Sequence, residues 1–157
     1  MSQETVAALK ARFPDAVYDV IEAFGETMVV IDRAIICEAC ALLRDTPGLD
    51  YNFIADITGV DYYPDAPRFA VCYHLYSMLH NRIIRLKVYA PEDDAVIPSL
   101  IGEWPLVNWP EREIQDMLGI DFEGHPRQAA SAHAGGLGWA PAAQGLPIGE
   151  GRGPVFL

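Results

Sequence analysis

Two stretches near the middle of the chain alternate apolar and polar residues with the period of a β-strand. Over residues 68–77 and 82–89, the apolar residues predicted to face inward are Phe69, Val71, Tyr73, Leu75, Ile84, Leu86 and Val88. Arg85 and Lys87 fall on the opposite, outward face of the second stretch. Because the two stretches are of similar length and joined by a short connection, they predict an antiparallel hairpin.

Three further runs have the composition of strands. Residues 17–21 and 27–31 are rich in strand-forming residues and lie on either side of Gly25, so they predict a second hairpin. Residues 53–60 predict another strand, which the polar Asp56 interrupts.

Apolar residues recur at helical spacing in two segments that flank the predicted hairpin of residues 17–31. One is predicted to run from a cap at Ser2 to the residue before Pro14, and the other from a cap at Asp32 to a stop at residues 46–48. The residues at helical spacing are Val6, Leu9, Lys10 and Phe13 in the first segment, and Ile35, Ala39, Leu42 and Leu43 on one face of the second. The summed pattern predicts one α+β domain over residues 1–126, with a mostly antiparallel sheet of about four to five strands and helices packed on one face.

A third helix is predicted for residues 108–118. Asn108 suits the N-cap, Pro110 the first turn, and Gly119 the left-handed residue that ends a helix. Its predicted apolar stripe consists of Ile114, Met117 and Leu118.

Charge and length narrow the classes of function. The 157 residues are about half apolar, enough for a core, and the formal net charge is −11. Such a charge disfavours binding to nucleic acid or to an anionic membrane surface and favours solubility or a basic protein partner. No leader opens the chain, and its most apolar run, residues 34–43, is short. We therefore expect neither export nor a membrane span, and membrane association only through partners.

The three cysteines offer a weak candidate for metal chemistry. Cys37 and Cys40 have the spacing of half a zinc or iron–sulfur site, but no second pair exists and Cys72 is alone on a strand. Buried apolar thiols in a reducing compartment are the favoured interpretation.

The third helix and the turn after it carry the densest set of candidate functional groups. Glu111, Glu113, Asp116 and His125 could bind a metal or act as acid and base, but only Glu113 and Asp116 share a helix face. A surface ion-pair network, in which Arg112 bridges to residues of this chain or of a partner, is favoured over a metal site. His74 is predicted to be packed or hydrogen-bonded. The sequence contains no nucleophile elbow, P-loop or Gly-rich dinucleotide turn.

Residues 111–126 read Glu-Arg-Glu-x-x-Asp, two apolar residues, then Gly-Ile-x-Phe-x-Gly-His-Pro. This run resembles the signature of the C subunit of the respiratory NADH:quinone oxidoreductase (complex I), and weaker similarity extends over residues 2–126. The resemblance implies that the signature residues dock the chain to other subunits, and that none of them is a catalytic, cofactor-binding or metal-binding residue. These residues are Glu111, Arg112, Glu113, Asp116, Gly119, Phe122, Gly124, His125 and Pro126.

The resemblance also implies partners and a location. Members of this family bind no cofactor by themselves and lie in the hydrophilic arm beside the quinone-site subunit and the iron–sulfur subunits. The implied complex uses FMN, iron–sulfur clusters, NADH and quinone, on the cytoplasmic side of the cell membrane. Two alternatives stay open: the equivalent subunit of a related membrane-bound hydrogenase or other quinone-linked dehydrogenase, and a small stand-alone metal-dependent enzyme using Glu113, Asp116 and His125.

Residues 127–157 depart abruptly from the family pattern. The segment is rich in Ala and Gly. If the last two bases of each codon are joined to the first base of the next, the codons of this segment can encode the family's ending with its own spacing. Trp139 has a single codon, and its last two bases followed by the first base of the Ala140 codon can encode only Gly. We infer a one-nucleotide insertion near the Pro126 codon, through sequencing error or real frameshift, and predict an irregular tail.

Overall fold

The computed structural model of the protein describes residues 3–126, which form three α-helices, three short 3-10 turns and seven strands. The helices are α1 (Gln3–Arg12), α2 (Ile36–Asp45) and α3 (Asn108–Leu118). The strands are β1 (Val17–Ala23), β2 (Glu26–Ile31), β3 (Phe53–Asp61), β4 (Phe69–Ser77), β5 (Arg82–Ala90), β6 (Val96–Pro98) and β7 (Asp121–Glu123). The predicted cap at Ser2 and the predicted tail, residues 127–157, lie outside the described residues.

Five strands form the main sheet in the order β1-β2-β5-β4-β3. Both predicted hairpins are confirmed: β1 pairs with β2 across Gly25, whose φ is +80°, and β4 pairs with β5 from Phe69↔Ala90 to Ser77↔Arg82. The α+β class is also confirmed, but the sheet is mixed because β2 and β5 are parallel. The chain leaves β2 through α2, enters at the far edge as β3, and two antiparallel pairings bring β5 back beside β2 in the same direction.

The helices and one face of this sheet enclose a single hydrophobic core. The predicted inward residues Val71, Tyr73, Leu75, Ile84, Leu86 and Val88 are all fully buried in it. Leu9 joins them from α1 and Ile114 from α3, so helices from both ends of the described chain pack on the same face.

Two predicted helix faces are rotated in the structure. In α2, the fully buried residues are Ile36, Ala39, Cys40 and Leu43, whereas Ile35 and Leu42 are only partly buried. Asp32 caps a 3-10 turn at Arg33–Ile35 that precedes the α-helix, and its tighter winding changes the phase of the helix that follows. In α1, Lys10 is exposed, and Thr5 is buried instead because its hydroxyl bonds with the hydroxyl of Tyr51 at 3.1 Å.

A second, two-stranded sheet was not predicted. β6 and β7 pair in parallel with Ile97 opposite Phe122, and the amide of Ser99 donates to the carbonyl of Glu123 at 2.8 Å. Each strand has only three residues, which is too short for an alternation signal. The pairing fixes the segment after α3 against the segment before it.

Candidate interface on the third helix

Helix α3 is entered through a 3-10 turn at Pro105–Val107. The structure corrects the predicted cap: Val107 occupies the N-cap position without a side-chain hydrogen bond, and Asn108 is the first helical residue. The predicted end is confirmed, since Gly119 has φ +76° and its amide donates to the carbonyl of Gln115 at 3.0 Å. A left-handed residue without a Cβ ends the helix at little steric cost.

A glycine on β3 lets α3 lie close to the sheet. A Cβ at Gly59 would be 2.6 Å from Cδ1 of Leu118 and 3.1 Å from Cγ2 of Ile114. Ile114 is buried and Leu118 partly buried as predicted, but Met117 is 54% exposed, contrary to the prediction. Met117 therefore lies on the outer side of α3, away from the contact with β3.

Glu111 is the main correction to the predicted surface network. Its side chain is fully buried. One carboxylate oxygen accepts from the amide of Leu100 at 2.8 Å, and the other accepts from the hydroxyl of Ser99 at 2.5 Å. The Ser99 hydroxyl also accepts from the amide of Ile101 at 3.2 Å. Glu111 therefore ties α3 to the chain that follows β6, and it belongs to no surface network.

Burial decides the protonation behaviour of this carboxyl group. Desolvation raises the pKa of Glu111, whereas the bonds from Ser99 and Leu100 and the nearby His125 lower it and only partly compensate. Glu111 in turn helps raise the pKa of the fully buried Tyr73, for which desolvation is the first cause. The hydroxyl of Tyr73 has no hydrogen-bond partner among the described residues.

The turn after β7 folds back onto the start of α3. Gly124 has φ +87°, and the amide of His125 donates to the carbonyl of Phe122 at 3.1 Å. Nε2 of His125 lies 3.2 Å from the carbonyl oxygen of Asn108, to which it donates a hydrogen bond in the tautomer protonated at Nε2. Asn108 directly precedes Trp109 in the chain. His125 and Phe122 are both buried, whereas Pro126 is exposed. The Gly-His-Pro turn therefore holds the first turn of α3 in place.

The opposite side of α3 faces away from the core. Arg112, Glu113 and Asp116 are exposed there, beside Trp109, which is 71% exposed. The guanidinium carbon of Arg112 lies 5.5 Å from the centroid of the Trp109 ring. Among residues 3–126, Arg112 forms no ion pair, so the predicted network around it does not exist within this part of the chain. We call Trp109, Arg112, Glu113, Asp116 and Met117 the outer face of α3.

The residues of the metal hypothesis are not brought together. Glu113 and Asp116 are exposed on the outer face, whereas His125 is buried against the first turn of the helix. Within residues 3–126, no group of three or more His, Cys, Asp or Glu residues could hold a metal ion. Cys40 is fully buried, and desolvation raises the pKa of its thiol, as expected for a thiol in an apolar core.

Sequence reasoning missed three residues of this region: Ser99, which binds Glu111; Gly59, which admits α3; and Trp109, the exposed aromatic. Ser99 lay within the weaker part of the resemblance, so a motif signal for it existed. No periodic pattern marks the others, because their roles depend on contacts between distant segments.

Other predicted side chains behave as expected. Nε2 of His74 accepts a hydrogen bond from Nε of Arg85 at 2.7 Å, which fits a packed and bonded histidine.

No helix within residues 3–126 combines the length and apolar character needed to cross a bilayer.

Comparison with known proteins supports the motif resemblance. The sequence model of the family described as "Respiratory-chain NADH dehydrogenase, 30 Kd subunit" matches residues 29–140. The NADH-quinone oxidoreductase C 2 subunit of Rhizobium etli is 41% identical over 120 residues, covering 76% of this chain and 64% of the relative. The corresponding C subunit of Cupriavidus metallidurans is 44% identical over 127 residues, with the same coverages. The chain thus spans just under two thirds of the length of these relatives.

Solved structures extend the comparison to the fold. The trypsin-resistant fragment of Nqo5 superposes with a TM-score of 0.65 at 35% identity, covering 80% of this chain and 98% of the fragment. A chain of an archaeal membrane-bound sulfane sulfur reductase complex has a TM-score of 0.66 at 21% identity, covering 80% of this chain and 72% of that one, and shows a shared fold alone. By sequence and by structure, the chain belongs to the family of the 30 kDa subunit of the respiratory-chain NADH dehydrogenase, which includes the C subunits of bacterial NADH-quinone oxidoreductases.

Proposed function

We propose that the chain is a structural and assembly subunit in the peripheral arm of a proton-translocating NADH:quinone oxidoreductase. Family membership supports this role. In the proposal, the chain carries no catalytic residues and binds no cofactor, and the complex as a whole uses FMN, iron–sulfur clusters, NADH and quinone. Its neighbours are the quinone-site subunit and iron–sulfur subunits, on the cytoplasmic side of the cell membrane, which it reaches only through them.

The observation that carries the docking role is the outer face of α3. An indole that is 71% exposed and stacked beneath an arginine has the chemistry of an interface hot spot, where Trp and Arg are enriched. Met117 extends the apolar area, and Glu113 and Asp116 make its margin acidic. The surface therefore fits a neighbouring subunit with an apolar recess bordered by basic side chains.

The buried residues of the signature hold α3 in place and thereby position its outer face. Glu111 fixes α3 to Leu100, and His125 fixes the first turn of α3 beside Trp109. Because both residues are buried, their proposed part in docking is to hold the helix in position, not to touch a partner.

A charge reversal of the outer face tests the docking role. The tagged double variant Arg112→Glu/Glu113→Arg keeps the net charge and should fail to co-purify with the neighbouring subunits after detergent extraction. The matched control is Lys10→Glu/Glu22→Arg, which reverses two exposed residues elsewhere and should co-purify normally. Unchanged co-purification of the first variant would remove this role of the outer face.

The same purification separates the alternatives. Neighbours that carry FMN and oxidise NADH favour the respiratory NADH dehydrogenase, whereas hydrogenase subunits favour the related complex. Stoichiometric metal in the purified chain, with no co-purifying subunits, favours a stand-alone enzyme.

The proposal for the last segment is that residues 127–157 are encoded one frame away from the family's ending. Codon compatibility over that segment supports it, whereas the family match that runs on to residue 140 counts against it. Sequencing the gene decides: codons for Lys-Asp-Tyr-Pro in the later frame are expected, and their absence rules the frame change out.

A further inference from the structure

The sheet has a second face, opposite the hydrophobic core. Side chains that alternate with the core residues point to it, including Cys72 and His74 on β4 and Arg85, Lys87 and Tyr89 on β5. The loop after β3 covers one part of it, where Tyr62 lies 6.4 Å from Tyr89 between ring centroids.

Lys87 is buried under this loop. The chain has two lysines, and while Lys10 is exposed on α1, Lys87 retains only 8% of its accessible surface. Lysine is rarely so buried unless an anion accompanies it, because removing an ammonium from water is costly. The prediction that Lys87 points away from the core is correct, but the loop after β3 covers this outward position.

The contacts of Lys87 are polar but carry no negative charge. Its Nζ donates to the hydroxyl of Tyr62 at 2.8 Å and lies 4.8 Å from the ring centroids of both Tyr62 and Tyr89. Desolvation lowers the pKa of Lys87, but the hydrogen bonds to the two tyrosines outweigh it and the pKa is raised. The ammonium is therefore charged at neutral pH, and the side chains that contact it are tyrosines, not carboxylates.

Other buried or half-buried cations of the described chain have carboxylate partners. Arg68 pairs with Asp61 at 2.9 Å, Arg85 with Glu26 at 2.8 Å, and Arg44 with Glu103 at 2.6 Å. No carboxylate of residues 3–126 pairs with Lys87. The chain has twice as many acidic as basic residues, so a shortage of carboxylates does not explain why Lys87 lacks a carboxylate partner among residues 3–126.

Lys87 lines a cavity of about 260 Å³. Its lining consists of Tyr62, Asp65, Ala66, Pro67, Lys87 and Tyr89. Two aromatic rings, a proline and an alanine give it apolar walls, and Lys87 is its cation. Asp65 also lines it without pairing with Lys87, so it is the internal competitor for any incoming anion.

We propose that this cavity receives an Asp or Glu side chain of a neighbouring subunit, whose carboxylate pairs with Lys87 between Tyr62 and Tyr89. The chemistry is that of a desolvated charge pair at an interface, with the aromatic rings excluding water. The occupant is a partner because the cation is already buried and charged before binding, so only the anion is missing. This inference rests on the proposed function, since it requires the assembled complex.

Carbodiimide cross-linking of the purified complex tests the pairing directly. The reagent joins an amine to a carboxylate in contact with it, and the only side-chain amines of this chain are Lys10 and Lys87. Mass spectrometry should find an amide bond between Lys87 and an Asp or Glu of a neighbouring subunit. An intact complex in which Lys87 is unlinked, or linked only to Asp65, overturns the inference.

Binding measurements supply the second test. The partner subcomplex that lacks this chain is immobilised and titrated with purified variants. Lys87→Gln should raise the dissociation constant at least tenfold, Lys87→Arg by less, and Lys10→Gln not at all. Equal affinities for Lys87→Gln and the unmodified chain contradict the inference while leaving the docking role intact. Failure of the unmodified chain to bind counts against the proposed function itself.

Discussion

Glu111 and Glu113 lie two residues apart on α3 and have opposite surroundings. Glu111 is fully buried and accepts hydrogen bonds from Ser99 and Leu100, whereas Glu113 is exposed on the outer face. Two residues correspond to about 200° around a helix, so one side chain reaches the core when the other faces solvent. One short motif therefore contains two kinds of residue, one that positions the helix and one that is available to a partner.

Removing the carboxylate of the buried Glu111 should cost the protein the most stability. Glu111→Ala leaves the amide of Leu100 and the hydroxyl of Ser99 without their acceptor, and should lower the free energy of unfolding by about 3 kcal/mol. Glu113→Ala is the matched control and should change it by less than about 0.5 kcal/mol. Urea denaturation followed by circular dichroism measures both, and equal losses would abolish the distinction between the two glutamates.

The second largest effect should be the weakening of partner binding when Trp109 is removed from the outer face of α3. Trp109→Ala should leave the unfolding free energy nearly unchanged but weaken binding to the partner subcomplex by about 2 kcal/mol, because a large exposed anchor is lost. Leu79→Ala, which removes an equally exposed apolar side chain from the β4–β5 turn, should bind normally. Titration of the immobilised subcomplex compares them, and identical affinities would show that Trp109 is no anchor.

A smaller effect concerns the contact between α3 and β3. Gly59→Ala places a methyl group against Leu118 and Ile114 and should destabilise the fold by about 1 kcal/mol. In a double-mutant cycle with Leu118→Ala, the two losses should be less than additive, because removing Cδ1 relieves the clash. Strict additivity in thermal unfolding would mean that the helix moves away from the sheet instead.

The smallest effect is a dependence of stability on pH. The pKa of Glu111 is raised in the folded state, so the folded protein holds this proton more tightly than the unfolded chain does. The stability contributed by protonated Glu111 is thus fully present below the ordinary carboxyl pKa and is lost as pH rises through the raised one. Melting temperatures across that range should fall more for the unmodified protein than for Glu111→Gln. Parallel curves would exclude Glu111 as the titrating group.

Local sequence patterns were sufficient for some features. The alternation from Phe69 to Leu75 predicted a strand and its buried face, and the position of Gly119 predicted the end of α3. Both features depend on the period of the backbone and on the conformational freedom of single residues, which neighbouring residues determine.

The two hairpins, the α+β class and the family motif were thus predictable from local patterns. In contrast, the parallel pairing of β2 with β5, the burial of Glu111 and the covering of Lys87 by Tyr62 became evident only in the folded chain. Periodicity indicates which side of a helix or strand a residue occupies, and no more. The residues that contact that side belong to segments far away in the sequence, and they determine whether a side chain is buried and whether a charge is paired.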